Sequence, residues 1–182
     1  MKVLASVIAV SCLFIVVICQ TTTTISPPTT PASDGSNLNP DWSYCMEFTW
    51  VGPAYDNFTR FNRTCADYLD ETRATGIPCS PPIVITEDGT PPDIDYLFRH
   101  HKTSVLCKRT PNQVCATYTY RFDGIVSNST YMCTKVQEFG GGAITSGCYT
   151  QNIRGYDVEV CVCKSTKGHT YKPCNHKLVD YS

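Results

Sequence analysis

The chain has 182 residues, 42% of them hydrophobic and 17% charged, with fifteen Lys and Arg set against sixteen Asp and Glu for a formal net charge of −1. A balance this even, without a basic stripe, argues against nucleic acid as a partner and against attraction to an acidic lipid surface. Twelve cysteines in a chain of this size point to an oxidising compartment and a fold stapled by disulfides.

Residues 1–19 read as a secretory signal peptide. Lys2 supplies a short positive region, and the run from Val3 to Ile18 is almost wholly apolar but too short for a convincing membrane span. Val17 and Cys19 can serve as the small residues before a cut at Gln20. Cys12 and Cys19 would leave with the leader, and the ten remaining cysteines suit five bridges.

Residues 20–40 are dominated by Thr, Ser and Pro with little to bury, which predicts a disordered, O-glycosylated linker. Folding is expected to begin at Trp42 and Tyr44 and to occupy residues 41–175, with a short tail over 176–182. That tail lacks the apolar stretch a glycolipid anchor needs, so no membrane anchor is expected. Asn57-Phe58-Thr59, Asn62-Arg63-Thr64 and Asn128-Ser129-Thr130 are N-glycosylation sequons, whose acceptors belong in exposed loops.

Cys65 to Arg73 is the only stretch that reads as a turn or two of helix. Residues 80–97 hold two Pro-Pro pairs around Glu87-Asp88-Gly89, which predicts a long exposed loop with at most a short strand from Ile83 to Thr86. Val114 to Phe122 alternates with period two, placing Val114, Ala116, Tyr118, Tyr120 and Phe122 on one face and Cys115, Thr117, Thr119 and Arg121 on the other. Asp123-Gly124 is a hairpin turn signal, and Tyr131 to Val136 can return antiparallel. Gly140, Gly141 and Gly142 punctuate a connection to a further strand from Ala143 to Tyr149, and Tyr156 to Cys163 alternates again. The fold class expected is therefore a small, disulfide-rich, all-β domain.

Cys161 and Cys163 lie two apart on one strand, share a face and sit too far apart in extended chain to bond each other easily. Cys148 and Cys174 are their natural partners by chain distance. Gly147-Cys148, the run VEVCVC at 158–163 and Cys174-Asn175 together resemble the ending of the three-finger superfamily, which includes urokinase-receptor and lymphocyte-antigen-type domains and snake toxins. The match lies mainly over residues 114–175, and activin-receptor ectodomains and some nematode-type secreted modules look similar there. The resemblance implies three-finger-like antiparallel hairpins with a long loop-rich N-terminal insertion. It also implies the pairs Cys148–Cys161, Cys163–Cys174, Cys45–Cys115, Cys65–Cys79 and Cys107–Cys133, and an Asn175 side chain that hydrogen-bonds across the palm of the fold. The chain departs from that pattern in the nineteen residues between Cys45 and Cys65 and in the length between Cys65 and Cys107.

No catalytic set emerges. There is no Gly-x-Ser-x-Gly elbow, no His-Glu-x-x-His pair, and Gly140-Gly141-Gly142 lacks the Lys-Ser/Thr of a phosphate loop. Asp93 and Asp95 could pair only on a Pro-rich loop that would hold them poorly for acid–base work. Cys161 and Cys163 with His169 and His176 could be drawn as a zinc site, but an oxidising compartment turns the thiolates into disulfides. His100-His101 reads as a solvated pair. No enzyme activity, cofactor or metal is expected.

The function expected is that of a secreted binding module recognising an extracellular protein or receptor, with Tyr118, Tyr120 and Phe122 as either core or contact surface. The alternatives are a structural or protective glycoprotein of mucus, saliva, seminal fluid or cuticle, a protease inhibitor presenting Ile77-Pro78-Cys79-Ser80-Pro81-Pro82, and a chitin-binding module. The cysteine gaps do not suit the last.

Overall fold

The protein is described from a computed structural model, over residues 38–55, 64–71 and 76–177. The expected leader, most of the Thr/Pro-rich segment and the sequons at Asn57 and Asn62 lie outside the described residues.

The fold is small, disulfide-rich and mostly β. Its strands are β1 (Tyr44–Met46), β2 (Phe48–Trp50), β3 (Ile83–Val84), β4 (Leu106–Lys108), β5 (Val114–Phe122), β6 (Ile125–Thr134), β7 (Val136–Gln137), β8 (Ala143–Ile144), β9 (Gly147–Ile153) and β10 (Tyr156–Cys163). Its helices are α1 (Cys65–Glu71), α2 (Ile94–His100) and α3 (Lys102–Val105). Six strands form the main sheet in the order β3-β2-β6-β5-β10-β9, antiparallel except where β3 joins β2. Strands β1 and β4 form one small antiparallel pair, and β7 and β8 another.

Two hairpins dominate the sheet, each closed by two residues with positive φ: Asp123-Gly124 between β5 and β6, and Arg154-Gly155 between β9 and β10. That left-handed pair is the turn whose twist matches paired strands. The alternation of β5 sends apolar groups to one face and cross-links to the other. On the first face Val114, Ala116 and Val162 are buried, and Tyr118, Met132 and Val160 pack against them together with Val136 and Ile144 of the β7–β8 hairpin. On the opposite face a larger core joins Phe48, Trp50, Val126 and Tyr131 of the sheet to Ile94, Phe98 and Val105 of the helices. Phe48 and Tyr131 stack with ring centroids 4.4 Å apart.

Several expectations are corrected. The segment 80–97 is not loop throughout: Asp93 caps α2 by accepting a hydrogen bond from the Tyr96 N–H, and two turns of helix follow. Ile94 and Phe98, four apart, then reach the core on one helical face. Among the described residues three short helices thus precede β4, and His100 ends α2 with its ring 4.6 Å from that of Tyr96. The strand expected over Ile83–Thr86 is only Ile83–Val84, because Thr86 turns away to accept a hydrogen bond from the Trp50 indole N–H. The strand expected over Ala143–Tyr149 is broken at Thr145-Ser146, so that β8 pairs with β7 while β9 pairs with β10. The return strand β6 begins at Ile125, immediately after the turn. Asn128 is no exposed acceptor. It lies within β6 opposite Tyr120 and is only 4% exposed, with Ser129 and Thr130 buried beside it.

Among the described residues the structure forms five disulfides, Cys45–Cys115, Cys65–Cys79, Cys107–Cys133, Cys148–Cys161 and Cys163–Cys174. These are the same five pairs that the three-finger resemblance implies. Cys161 sits directly across from Cys148, and Cys163 reaches instead to the turn at Cys174–His176. An oxidising environment follows from so many bridges.

Candidate functional surface

The most distinctive surface lies at the closed ends of the two hairpins. Ile125 pairs with Phe122 across the first turn, Phe122 with Tyr156 across the β5–β10 seam, and Tyr156 with Ile153 across the second turn. Residues directly opposite each other on neighbouring strands point to the same face. Four large apolar side chains therefore form one continuous row, about 14 Å wide from the strand spacing. All four are open to solvent, at 66% for Ile125, 55% for Phe122, 39% for Tyr156 and 43% for Ile153. The rings of Phe122 and Tyr156 lie 5.2 Å apart, which stiffens the middle of the row.

This row divides the aromatic face of β5. Tyr120 is buried, Tyr118 is half-buried and Phe122 is exposed. Burial raises the phenols of Tyr118 and Tyr120 above their ordinary value. Tyr68 on α1 is also raised, first by burial and then by the neighbouring phenols of Tyr55, Tyr120 and Tyr156. Tyr68 is 2% exposed and meets Tyr55 edge-on with ring centroids 5.9 Å apart, so a tyrosine cluster that includes Tyr120 and Tyr156 stands beside the exposed apolar row.

A bulge in β6 helps to shape the tip. Pairing shifts between Tyr120 and Arg121, so that Ser127 is the extra residue and Val126 turns into the core while Ile125 stays outside. Gly52 makes this geometry possible. It has φ +91°, and a Cβ placed there would stand 1.8 Å from the Ser127 carbonyl oxygen. Elsewhere, the turn between β7 and β8 holds Phe139 wholly outside the protein surface, beside Glu138 and the three glycines.

Other sites named from sequence have structural roles. Asp93 is a helix cap, and Asp95 sits 2.6 Å from the Lys172 ammonium, which holds its carboxyl below the usual range. The two are thus occupied separately and do not form an acid–base pair. Ser80 is buried, with its N–H donating to Thr49 Oγ1, while the Pro78 carbonyl accepts from Thr130 Oγ1. The Pro78–Ser80 segment accordingly packs on the sheet and does not project as an inhibitory loop would. Cysteine groupings that could be drawn as metal sites, Cys45 with Cys107 and Cys133 and Cys148 with Glu159 and Cys161, consist of disulfide sulfurs with no thiolate to offer. His176 Nδ1 lies 2.7 Å from the Pro173 carbonyl oxygen and steadies the C-terminal turn.

A cleft of about 320 Å³ opens between β10 and that turn, with Thr117, Glu159, Asn175 and Lys177 among its lining. Two disulfides form its walls, and the Asn175 side chain is committed to backbone groups. It is the seam along which the C-terminal turn docks.

No protein-family model matches the chain, and no curated protein or solved structure is found similar to it. Sequence reasoning found Phe122 but missed Ile125, Ile153 and Tyr156. Arg154-Gly155 flanked by Ile153 and Tyr156 repeats the pattern of Asp123-Gly124 flanked by Phe122 and Ile125, and that symmetry was a usable signal.

Proposed function

We propose that this protein is a secreted, non-enzymatic, cysteine-rich binding module of three-finger-like type that recognises an extracellular protein or receptor. The observation that carries the reading is the exposed row Ile125–Phe122–Tyr156–Ile153. A monomeric surface rarely leaves large apolar side chains contiguous without a partner for them. Aromatic anchors on rigid hairpins lose little conformational freedom on binding, which is why such residues dominate protein contacts.

Further support comes from the disulfide pairs and from Asn175, which sits after the last cysteine and bonds the backbone of two distant strands. Both are what the three-finger resemblance implies. No helix among the described residues is long and apolar enough to cross a membrane. The contact face carries Asp123 and Arg154 at its two turns, a mixed charge that suits a protein surface better than a polyanion.

The test is capture of cell-surface and extracellular proteins by the oxidised, purified chain, compared with the double variant Phe122→Ala, Tyr156→Ala. The wild type is expected to retain a specific protein that the variant loses, with affinity down roughly 30-fold or more, as for paired hot-spot residues. Capture of the same protein at equal affinity by the double variant would remove the row from the mechanism.

A further inference from the structure

The main sheet has two edges, and they are built differently. At one edge β3 is only two residues long, too short to template another strand. At the other edge β9 runs for seven residues, Gly147 to Ile153, and every one is exposed. Natural edge strands are usually guarded by charge, Pro, a bulge or a covering segment. The sequence GCYTQNI holds no charged residue and no Pro, its pairing with β10 is regular, and no described strand lies on its outer side.

The backbone groups that face outward can be derived. The two-residue turn Arg154-Gly155 makes Ile153 and Tyr156 the first hydrogen-bonded pair of the hairpin. Hydrogen-bonded and non-bonded pairs then alternate. Gly147, Tyr149, Gln151 and Ile153 direct their N–H and C=O groups to β10, while Cys148, Thr150 and Asn152 direct theirs outward. The Cα separation of 4.0 Å at Cys148–Cys161 agrees, since non-bonded pairs are the closer ones.

We propose that β9 pairs antiparallel with β9 of a second copy of this chain, about a two-fold axis at Thr150. This register places Thr150 against its symmetry mate and Cys148 against Asn152 of the partner copy, so that all three outward residues of each strand exchange backbone hydrogen bonds. Tyr149 then lies across from Gln151 of the partner copy, and the threonines meet on the other face, a favourable cross-strand pairing. Because the strand is neutral, its own copy meets no like charge. A charged extended peptide would find no complementary charge on β9, so a second copy is the better-matched occupant. The contact is one strand pair, well below the roughly 1,200–2,000 Å² of a stable interface, which places the dissociation constant in a weak range of about 1 μM to 1 mM. The antiparallel arrangement points the two tip rows in opposite directions and leaves both free.

Sedimentation analysis of the full oxidised protein across that concentration range tests the proposal. Expected are a monomer–dimer equilibrium and slowed hydrogen exchange at the amides of Cys148, Thr150 and Asn152 as concentration rises. The amides of Tyr149, Gln151 and Ile153 should be protected at every concentration. Thr150→Lys, which sets two ammonium groups across the axis on an exposed strand, is expected to weaken the dimer at least about 10-fold. Thr150→Val should retain it, and Phe122→Ala, which touches the tip row alone, should leave it unchanged. A monomer at every concentration, or a dimer indifferent to Thr150→Lys, overturns the proposal, as does strand addition by a bound peptide without self-association.

Discussion

The side chain of Asn175 grips the backbone of Met46, 129 residues earlier in the chain. Its Oδ1 accepts from the Met46 N–H at 2.9 Å, and its Nδ2 donates back to the Met46 carbonyl at 3.1 Å and to the Ala116 carbonyl at 3.3 Å. All three groups are buried, so the C-terminal turn, β1 and β5 are held by one amide. Replacing Asn175 by Ala would strand a buried N–H and two carbonyls. A loss of about 2–3 kcal/mol is expected, since an unsatisfied buried group costs about 1–3 kcal/mol. Denaturant unfolding with the disulfides intact measures it, and Asn175→Asp should recover little because it lacks the two N–H donors.

The five bridges should differ in worth. Cys45–Cys115 closes 70 residues and Cys148–Cys161 closes 13. Chain entropy alone assigns them about 4 and about 3 kcal/mol. Replacing Cys45 and Cys115 together by Ala is expected to be the more damaging change, because it also opens space in the buried region around Cys115. Comparing unfolding midpoints of the two double variants checks the order.

Asn128 is expected to carry no glycan in the folded, secreted protein. Its burial within β6 leaves no room for a sugar on the amide. Glycopeptide mass spectrometry should find the Asn128-Ser129-Thr130 peptide unmodified, and Asn128→Gln should leave the electrophoretic mobility unchanged. A glycan on Asn128 would require the strand to leave the sheet.

Gly52 should tolerate no side chain. Its φ of +91° already disfavours L-residues, and the Ser127 carbonyl occupies the position of a Cβ. Gly52→Ala is expected to destabilise the protein by roughly 2 kcal/mol or more, because both obstacles are backbone and neither can rotate away. Gly124→Ala meets nothing within 4 Å and should show only the smaller penalty of its positive φ.

Alkaline pH should unfold the protein through its tyrosines. The phenol of Tyr68 is raised from 10.0 by burial first and by neighbouring phenols second, and those of Tyr118 and Tyr120 rise with burial too. The folded state therefore holds protons that the unfolded chain releases above about pH 10. Stability is fully present below that value and declines as pH climbs from it toward the folded-state values. Tyr68→Phe is expected to flatten this decline, read as unfolding midpoints across the alkaline range.

Cysteine parity, strand alternation and the Asp123-Gly124 turn were legible in the sequence because each is local: period two, left-handed turn residues and an even thiol count need no distant partner. The same locality explains what was misjudged. Helix α2 is seven residues framed by Pro-Pro and His-His, too short for a periodic signature, and it persists because Ile94 and Phe98 find Phe48 and Trp50 from a different part of the chain. The sequon at Asn128 is chemically complete in sequence, and only packing against Tyr120 and its neighbours buries it. The tip row was only partly legible for a related reason: the two turns repeat one pattern, but nothing local joins them. Phe122 and Tyr156 stand 34 positions apart and become neighbours only when β10 pairs with β5 in one register. Local chemistry thus decided that the chain would make crosslinked hairpins, while the pairing of distant strands decided which side chains meet, which are covered and which are left facing solvent.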